Sequence, residues 1–258
     1  METNKIYQGD CKEIMKTFPA NYIDLTITSP PYDNLRKYKG FDFEFEGIAD
    51  QLFRVTKPGG VVVWVVGDAT VKGSETGTSF KHALYFKGIG FNLHDTMIYK
   101  TNKPPSNGNR YQQDFEYMFV FSKGKPQVVN LLKIETLHPG VKNSGGNRGK
   151  DDHKKERTTI NRTGLEKTKG NIWYLPRSSV SGDRFSRLHP ATFPEQLAND
   201  HIISWSNESD IVFDPMCGSG TTLKMAKANN RQFIGIDISE EYVNIAKQRC
   251  SLTKALIS

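Results

Sequence analysis

The chain has 258 residues, 36% of them hydrophobic, with a formal net charge of +7. That length allows one large α/β domain or two smaller ones, and the charge points to a polyanionic partner. Three scattered cysteines, Cys11, Cys217 and Cys250, exclude a disulfide framework and a tetra-cysteine zinc site and suit a reducing compartment.

No run approaches the ~18 apolar residues of a membrane helix, and residues 1–10 hold no apolar signal core, so a soluble cytoplasmic protein is expected. Short β-rich runs alternate with amphipathic stretches, the pattern of a largely parallel sheet flanked by helices. In chain order, strands are predicted at 23–28, 60–66, 91–99, 115–122, 211–214 and 232–237. Helices are predicted at 48–56, 79–87, 194–205, 221–229 and 240–250. The run VVVWVV is apolar on both faces, as an inner strand covered on each side should be.

The first strand runs straight into Ser29-Pro30-Pro31-Tyr32. Two prolines lack the N–H groups a central strand needs, so the strand must stop there in a rigid turn. Between 138 and 170 the rhythm breaks: nine Lys and Arg, four Asp and Glu and six glycines leave hardly an apolar residue. Such a segment cannot bury itself, and reads as a loop or as an insertion ordered by a partner.

Near the C-terminus, IVFDPMCGSGTTLKMA places a strand, a Gly218-x-Gly220 turn and a helix in succession. Glycines let backbone approach a ligand, and a helix N-terminus offers free N–H groups. The phosphate-loop lysine is missing, and the turn is shorter than the dinucleotide fingerprint. About 17 residues beyond Gly220, QFIGIDIS ends a second strand at Asp237, well placed to accept from ribose hydroxyls. A nucleoside ligand is the reading that joins these pieces.

DPMCGSGTT with FIGIDIS resembles the S-adenosylmethionine site of Rossmann-like methyltransferases, and TSPPY resembles the catalytic motif of amino-directed DNA methyltransferases. GDCKEIM (9–15), LFRVTKPGGVVVW (52–64), EYMFVFSKG (116–124) and HPATFPEQL (189–197) agree with that family. The order, catalytic motif first and cofactor motif last, resembles its permuted β group. The resemblance implies an α/β fold: a mixed seven-stranded sheet with helices on both faces, circularly permuted. Residues 1–124 and 189–258 would form the catalytic and cofactor-binding domain, and 125–188 an inserted target-recognition region. The strands ending at Thr28 and Asp214 should then lie side by side at the switch point.

The same resemblance assigns the site. Ser29, Pro30, Pro31 and Tyr32 would be catalytic. Asp10, Cys11, Asp214, Pro215, Cys217, Gly218, Ser219, Gly220, Thr221 and Asp237 would bind S-adenosylmethionine, later its product S-adenosylhomocysteine. Asp10 would reach the adenine amine, Asp237 the ribose, and Asp214, Gly218 and Gly220 the methionine side, though Asp10 also reads as a loop cap and Cys217 as packing. His189, Pro190 and Phe193 match the motif before the cofactor strand. No metal is expected.

An exocyclic amine is a poor nucleophile because its lone pair is delocalised into the ring. Acceptors at its N–H bonds, the Ser29 hydroxyl and a carbonyl held by Pro30-Pro31, would localise and aim it. Tyr32 would stack on the base once it is turned out of the duplex. Serine at this position resembles the N4-cytosine enzymes, aspartate the N6-adenine ones, so cytosine is the first reading and adenine the alternative. C5-cytosine chemistry needs a thiolate in a Pro-Cys pair, which the chain lacks.

The basic tract would contact phosphates and groove edges of double-stranded DNA, with Arg148, Arg157, Arg162, Arg177 and Arg184 as candidates. Residues 100–114 would line the DNA cleft. A homodimer and a cognate restriction endonuclease are further expectations. Methylation of RNA, and an idle scaffold that binds DNA without turnover, are the competing readings.

Overall fold

The structure is a computed structural model that describes residues 1–31, 43–100, 110–135, 165–176, 183, 185 and 193–255. The chain opens with β1 (Lys5–Gln8) and α1 (Cys11–Lys16), then β2 (Ile23–Thr28), α2 (Phe45–Val55) and β3 (Thr56–Val66). A small hairpin, β4 (Thr70–Val71) and β5 (Ser74–Glu75), leads to α3 (Thr78–Gly88), β6 (Asn92–Lys100) and β7 (Phe115–Ser122). Next come β8 (Lys133–Glu135), β9 (Glu166–Thr168) and β10 (Ile172–Tyr174). The chain continues through α4 (Glu195–Trp205), β11 (Ile211–Asp214), α5 (Thr221–Ala228), β12 (Gln232–Asp237) and α6 (Glu240–Leu252).

Among the described residues the main sheet has eight strands, in the order β1-β12-β11-β2-β3-β7-β6-β10, where seven were expected. The addition is β10, which pairs in parallel with β6 and buries Trp173 alone. Three residues are too few to display a two-residue alternation, so nothing in the sequence marks it. Two compact units are distinct: Met1–Asn130 with Asn171–Ser258, and Leu131–Gly170. In the second, β8 and β9 pair antiparallel.

The centre of the sheet is β3. Val61 to Val66 are each 1% exposed or less, as a two-faced apolar run requires. Val62, Trp64 and Val66 face Ile48 and Leu52 of α2 and Phe86 of α3, and Phe86 stacks on Phe121 of β7 at 4.6 Å. Burying each such side chain contributes about 1.5–3 kcal/mol. Asp24 closes the opposite end of the sheet: its carboxylate accepts from Lys57 Nζ at 2.7 Å and from the Ile211 N–H at 2.9 Å.

Two crossovers place the site. From β2 the chain passes through α2 to β3, and from β11 through α5 to β12, on the other side. The direction of winding therefore reverses between β2 and β11, which is where open α/β sheets bind ligands.

Candidate active site

β1, β12, β11, β2 and β3 are mutually parallel, so their C-terminal ends share one edge. Asp10 follows β1, Ser29 follows β2, Asp214 ends β11 and Asp237 ends β12. Val212 pairs with Leu25 and Phe213 with Thr26, so the two key strand ends are immediate neighbours. The Thr222 hydroxyl donates to the Ile27 carbonyl at 3.2 Å, fixing the start of α5 against the end of β2.

The glycine turn is pinned from β12. The Asp237 carboxylate accepts the Gly218 N–H at 2.8 Å and the Ser239 N–H at 2.9 Å. Cys217 N–H donates to Ile236 O at 2.8 Å, and Gly220 N–H closes the turn onto Cys217 O at 2.7 Å. Gly218 and Gly220 have φ of +49° and +80°, values costly for any side chain. No side-chain cap hydrogen bond is made at the N-terminus of α5, where Gly220 is the cap residue.

Asp214 is buried at the end of β11, behind the buried Pro215, and accepts the Met216 N–H at 3.1 Å. Burial pushes its carboxyl up to about 6; the Thr28 and Thr222 hydroxyls and the Met216 N–H pull against that, and the Asp237 charge adds to it. Asp237 is also raised, by burial first, with its two N–H donors opposing.

Asp10 is exposed and caps α1, accepting the Glu13 N–H at 3.1 Å. Cys11 opens that helix half-buried. Burial pushes its thiol up to about 12 and that of Cys250 up to about 11, and raises Cys217 well above the ordinary range. Burial thus disfavours the thiolate form at all three, the opposite of what covalent C5 chemistry asks of a nucleophile. Ser29 and Pro31 are half-buried and Pro30 is buried. Phe193 is half-buried ahead of α4. Tyr32, His189, Pro190 and the five candidate arginines lie outside the described residues, as do residues 101–109 of the second proposed DNA-lining tract. Among the described residues no cluster of His, Cys, Asp and Glu is arranged to hold a metal.

Sequence reasoning missed a charged group behind the turn. Arg249 of α6, its side chain 1% exposed, donates to Ser219 O at 3.2 Å and to the Thr221 hydroxyl at 2.9 Å. It also pairs with Asp183 at 2.8 Å and Glu195 at 2.7 Å, and Lys224 bridges the same two carboxylates at 3.0 and 2.7 Å. The signal was present: Val243, Ala246 and Arg249 recur at three-residue spacing on the buried face of one helix.

The profile of the N6/N4 DNA methylase family, described as DNA methylase, matches residues 23–248. Among known proteins, the orphan methyltransferase M.BamHII of Bacillus amyloliquefaciens is 56% identical over 235 residues, covering 88% of each chain. The type II methyltransferase M.BglII of Bacillus subtilis is 29% identical over 253 residues, 95% of this chain and 68% of its own. Among solved structures, the cytosine-N4-specific PvuII DNA methyltransferase superposes with a TM-score of 0.70 at 21% identity, over 100% of this chain and 89% of its own. A DNA modification methylase of Thermus thermophilus, complexed with S-adenosyl-L-methionine, gives 0.65 at 24% identity, over 96% and 93%. At those identities the two structures speak for the fold.

Proposed function

Since the chain belongs to the N6/N4 DNA methylase family, we propose that it methylates the exocyclic N4 of cytosine, in a base turned out of duplex DNA. At the coarser level it is a sequence-specific DNA methyltransferase that uses S-adenosylmethionine. The observation that favours this site is the adjacency of Ser29-Pro30-Pro31, at the end of β2, to the glycine turn at the end of β11.

The residues present suit S-adenosylmethionine. The turn has glycine at both left-handed positions, α5 lacks a side-chain cap, and two carboxyls flank the turn. When bound, it supplies a methyl group activated on a sulfonium. Each Asp237 oxygen keeps a second lone pair beyond its N–H donor, available to ribose hydroxyls. Asp10 lies at the end of β1, beside β12, where it would meet the adenine end. Asp214, Gly218 and Thr221 would hold the methionine end, with Pro215, Cys217, Ser219 and Gly220 shaping the turn and Cys11 packing beside Asp10.

Ser29 Oγ and the carbonyl held by the two prolines would accept the amine N–H bonds, localise the lone pair and aim it. Tyr32 would stack on the base. Serine at position 29 favours cytosine. Region 125–188 would read the DNA sequence, a role its basic tract suits. A bacterial cytoplasm, a homodimer and a cognate endonuclease complete the proposal.

The test is methyl transfer from labelled S-adenosylmethionine to duplex DNA, with the product digested to nucleosides and identified by mass. N4-methylcytosine is expected. N6-methyladenine would move the target base and keep the amine mechanism, and label on neither base would overturn the proposal.

Cofactor affinity should depend on pH. The ligand is cationic at its sulfonium, so it favours an ionised Asp214. Below about 6 that carboxyl is protonated and affinity falls, by at most one decade per pH unit for a single group; above it affinity levels off. The apoprotein should show the opposite trend. The folded carboxyl binds its proton more tightly than the unfolded one, so Asp214's contribution to stability is full below about 4 and is lost as pH rises through about 6. Calorimetric titration from pH 5 to 8 measures the first trend, with Asp214→Asn as the reference that keeps only the dependence due to Asp237; denaturant unfolding measures the second.

A further inference from the structure

The group behind the turn contains two cations, Arg249 and Lys224, and two carboxylates, Asp183 and Glu195, and so balances to zero. A fully buried guanidinium is costly to desolvate and persists only when paired and hydrogen-bonded. Arg249 spends its fork on two tasks: Nε and Nη2 take the carboxylates, while Nη1 takes Ser219 O, Ser219 Oγ and Thr221 Oγ1. The turn is therefore gripped from two sides. Asp237 holds the Gly218 N–H, and Arg249 holds the Ser219 carbonyl and the Thr221 hydroxyl.

The acids come from different places in the chain. Glu195 opens α4, but Asp183 belongs to the connection between β10 and α4. Burial works to raise its carboxyl, yet the Lys224 hydrogen bond and the Arg249 charge outweigh it and hold the group low, in its ionised form. Phe185, two residues on, is buried, and its N–H donates to the Asp183 carboxylate at 3.0 Å.

We propose that Arg249 is a positioning residue that sets the shape of the Gly218–Thr221 turn, and that it does so only while Asp183 is docked. Asp183, which lies within the proposed recognition region, and the cofactor turn are thereby held to one another. This rests on the reading of that turn as the S-adenosylmethionine site. By reciprocity, ligand at the turn must stabilise the Asp183 contact as much as that contact favours the ligand.

The experiment measures S-adenosylhomocysteine binding by calorimetry on the full chain, as wild type, Asp183→Asn, Arg249→Lys and Val120→Ala. Val120 is buried in β7, away from the turn, and its variant reports general destabilisation. Asp183→Asn and Arg249→Lys should each weaken binding about tenfold, the loss of one charge-assisted contact, while Val120→Ala stays within about twofold. Hydrogen exchange of the peptide that contains Asp183 and Phe185 provides the second readout. Ligand should slow it in the wild type and not in Arg249→Lys, a response a merely structural arginine would not produce. Affinities within about twofold of Val120→Ala, or exchange that ligand does not change in the wild type, would overturn the proposal. Neither readout needs methyl transfer. A chain that binds the ligand but modifies no DNA would sink the proposed function and leave this inference standing, whereas failure to bind at all would end both.

Discussion

Replacing Ser29 with alanine is expected to lower kcat by about a hundredfold while cofactor affinity stays within about twofold. The change removes one oxygen and little else. The backbone before it is fixed: Ile27 O accepts the Thr222 hydroxyl, and Thr28 continues the ladder to Trp64 of β3. Pro30 is buried directly after it, so the turn should keep its shape in the variant. The loss should fall on the step in which an acceptor localises the amine lone pair, and should appear in kcat with the KM for DNA little altered. The proline-held carbonyl, the second acceptor of the proposed mechanism, remains, so activity should not vanish. Steady-state kinetics beside calorimetric titration decide it. A kcat within about threefold of wild type would show that the carbonyl alone does the work, and that the Ser29 hydroxyl has another role.

Gly220→Ala should cost about 3 kcal/mol of stability, and weaken cofactor binding further. At φ +80° the residue would meet the left-handed penalty of about 1–2 kcal/mol. Its new Cβ would also lie 2.8 Å from Ala246 Cβ and 3.1 Å from Ala246 Cα, so α5 and α6 must separate. Such overpacking typically costs about 1–3 kcal/mol. For a chain of this size the melting temperature should fall by roughly 6–12 °C. Gly73→Ala isolates the first part, because Gly73 has φ +81° and no atom within 4 Å of where its Cβ would stand. It should cost about 1–2 kcal/mol and leave cofactor affinity untouched. Equal losses in the two variants would mean that α6 yields easily and packing at the turn is loose.

How much was legible in the sequence depended on how much of each signal was local. β2, β7, β11 and β12 have the predicted bounds, because short apolar runs flanked by prolines, glycines or acids carry their own punctuation. β3 begins at Thr56, well before the expected residue 60, although Pro58 and Gly59 interrupt it. The ladder absorbs them: Ile23 pairs with Thr56 but Leu25 with Val61, so Lys57 to Gly60 bulge out between two neighbouring pairs. β1 and α1, at four and six residues, are too short for periodicity to register. Asp10, Asp214, Gly218 and Asp237 stood out because acids and glycines at strand ends are conspicuous. Arg249 did not, because a lone arginine near a helix C-terminus ordinarily reads as solvated charge complementing the dipole. Only its register with Val243 and Ala246 distinguishes it, and its partners Asp183 and Glu195 lie 66 and 54 positions away.

The pairing of β1 with β12 has a consequence for synthesis. Phe233 N–H donates to Asn4 Oδ1 across 229 positions of sequence, and the edge that holds Asp10 and Asp237 exists only once both strands have left the ribosome. At about 5–20 residues per second, the earlier strand waits roughly 10–45 s for its neighbour. The glycine turn waits longer, since Arg249 emerges later still. Until then β11, paired with β2 on one side, exposes its other edge, and a nascent chain has no assembled pocket for its cofactor. The β3–β7–β6 ladder, whose strands lie closer together in sequence, can form before the site does, and the pocket is the last part of the sheet to be completed.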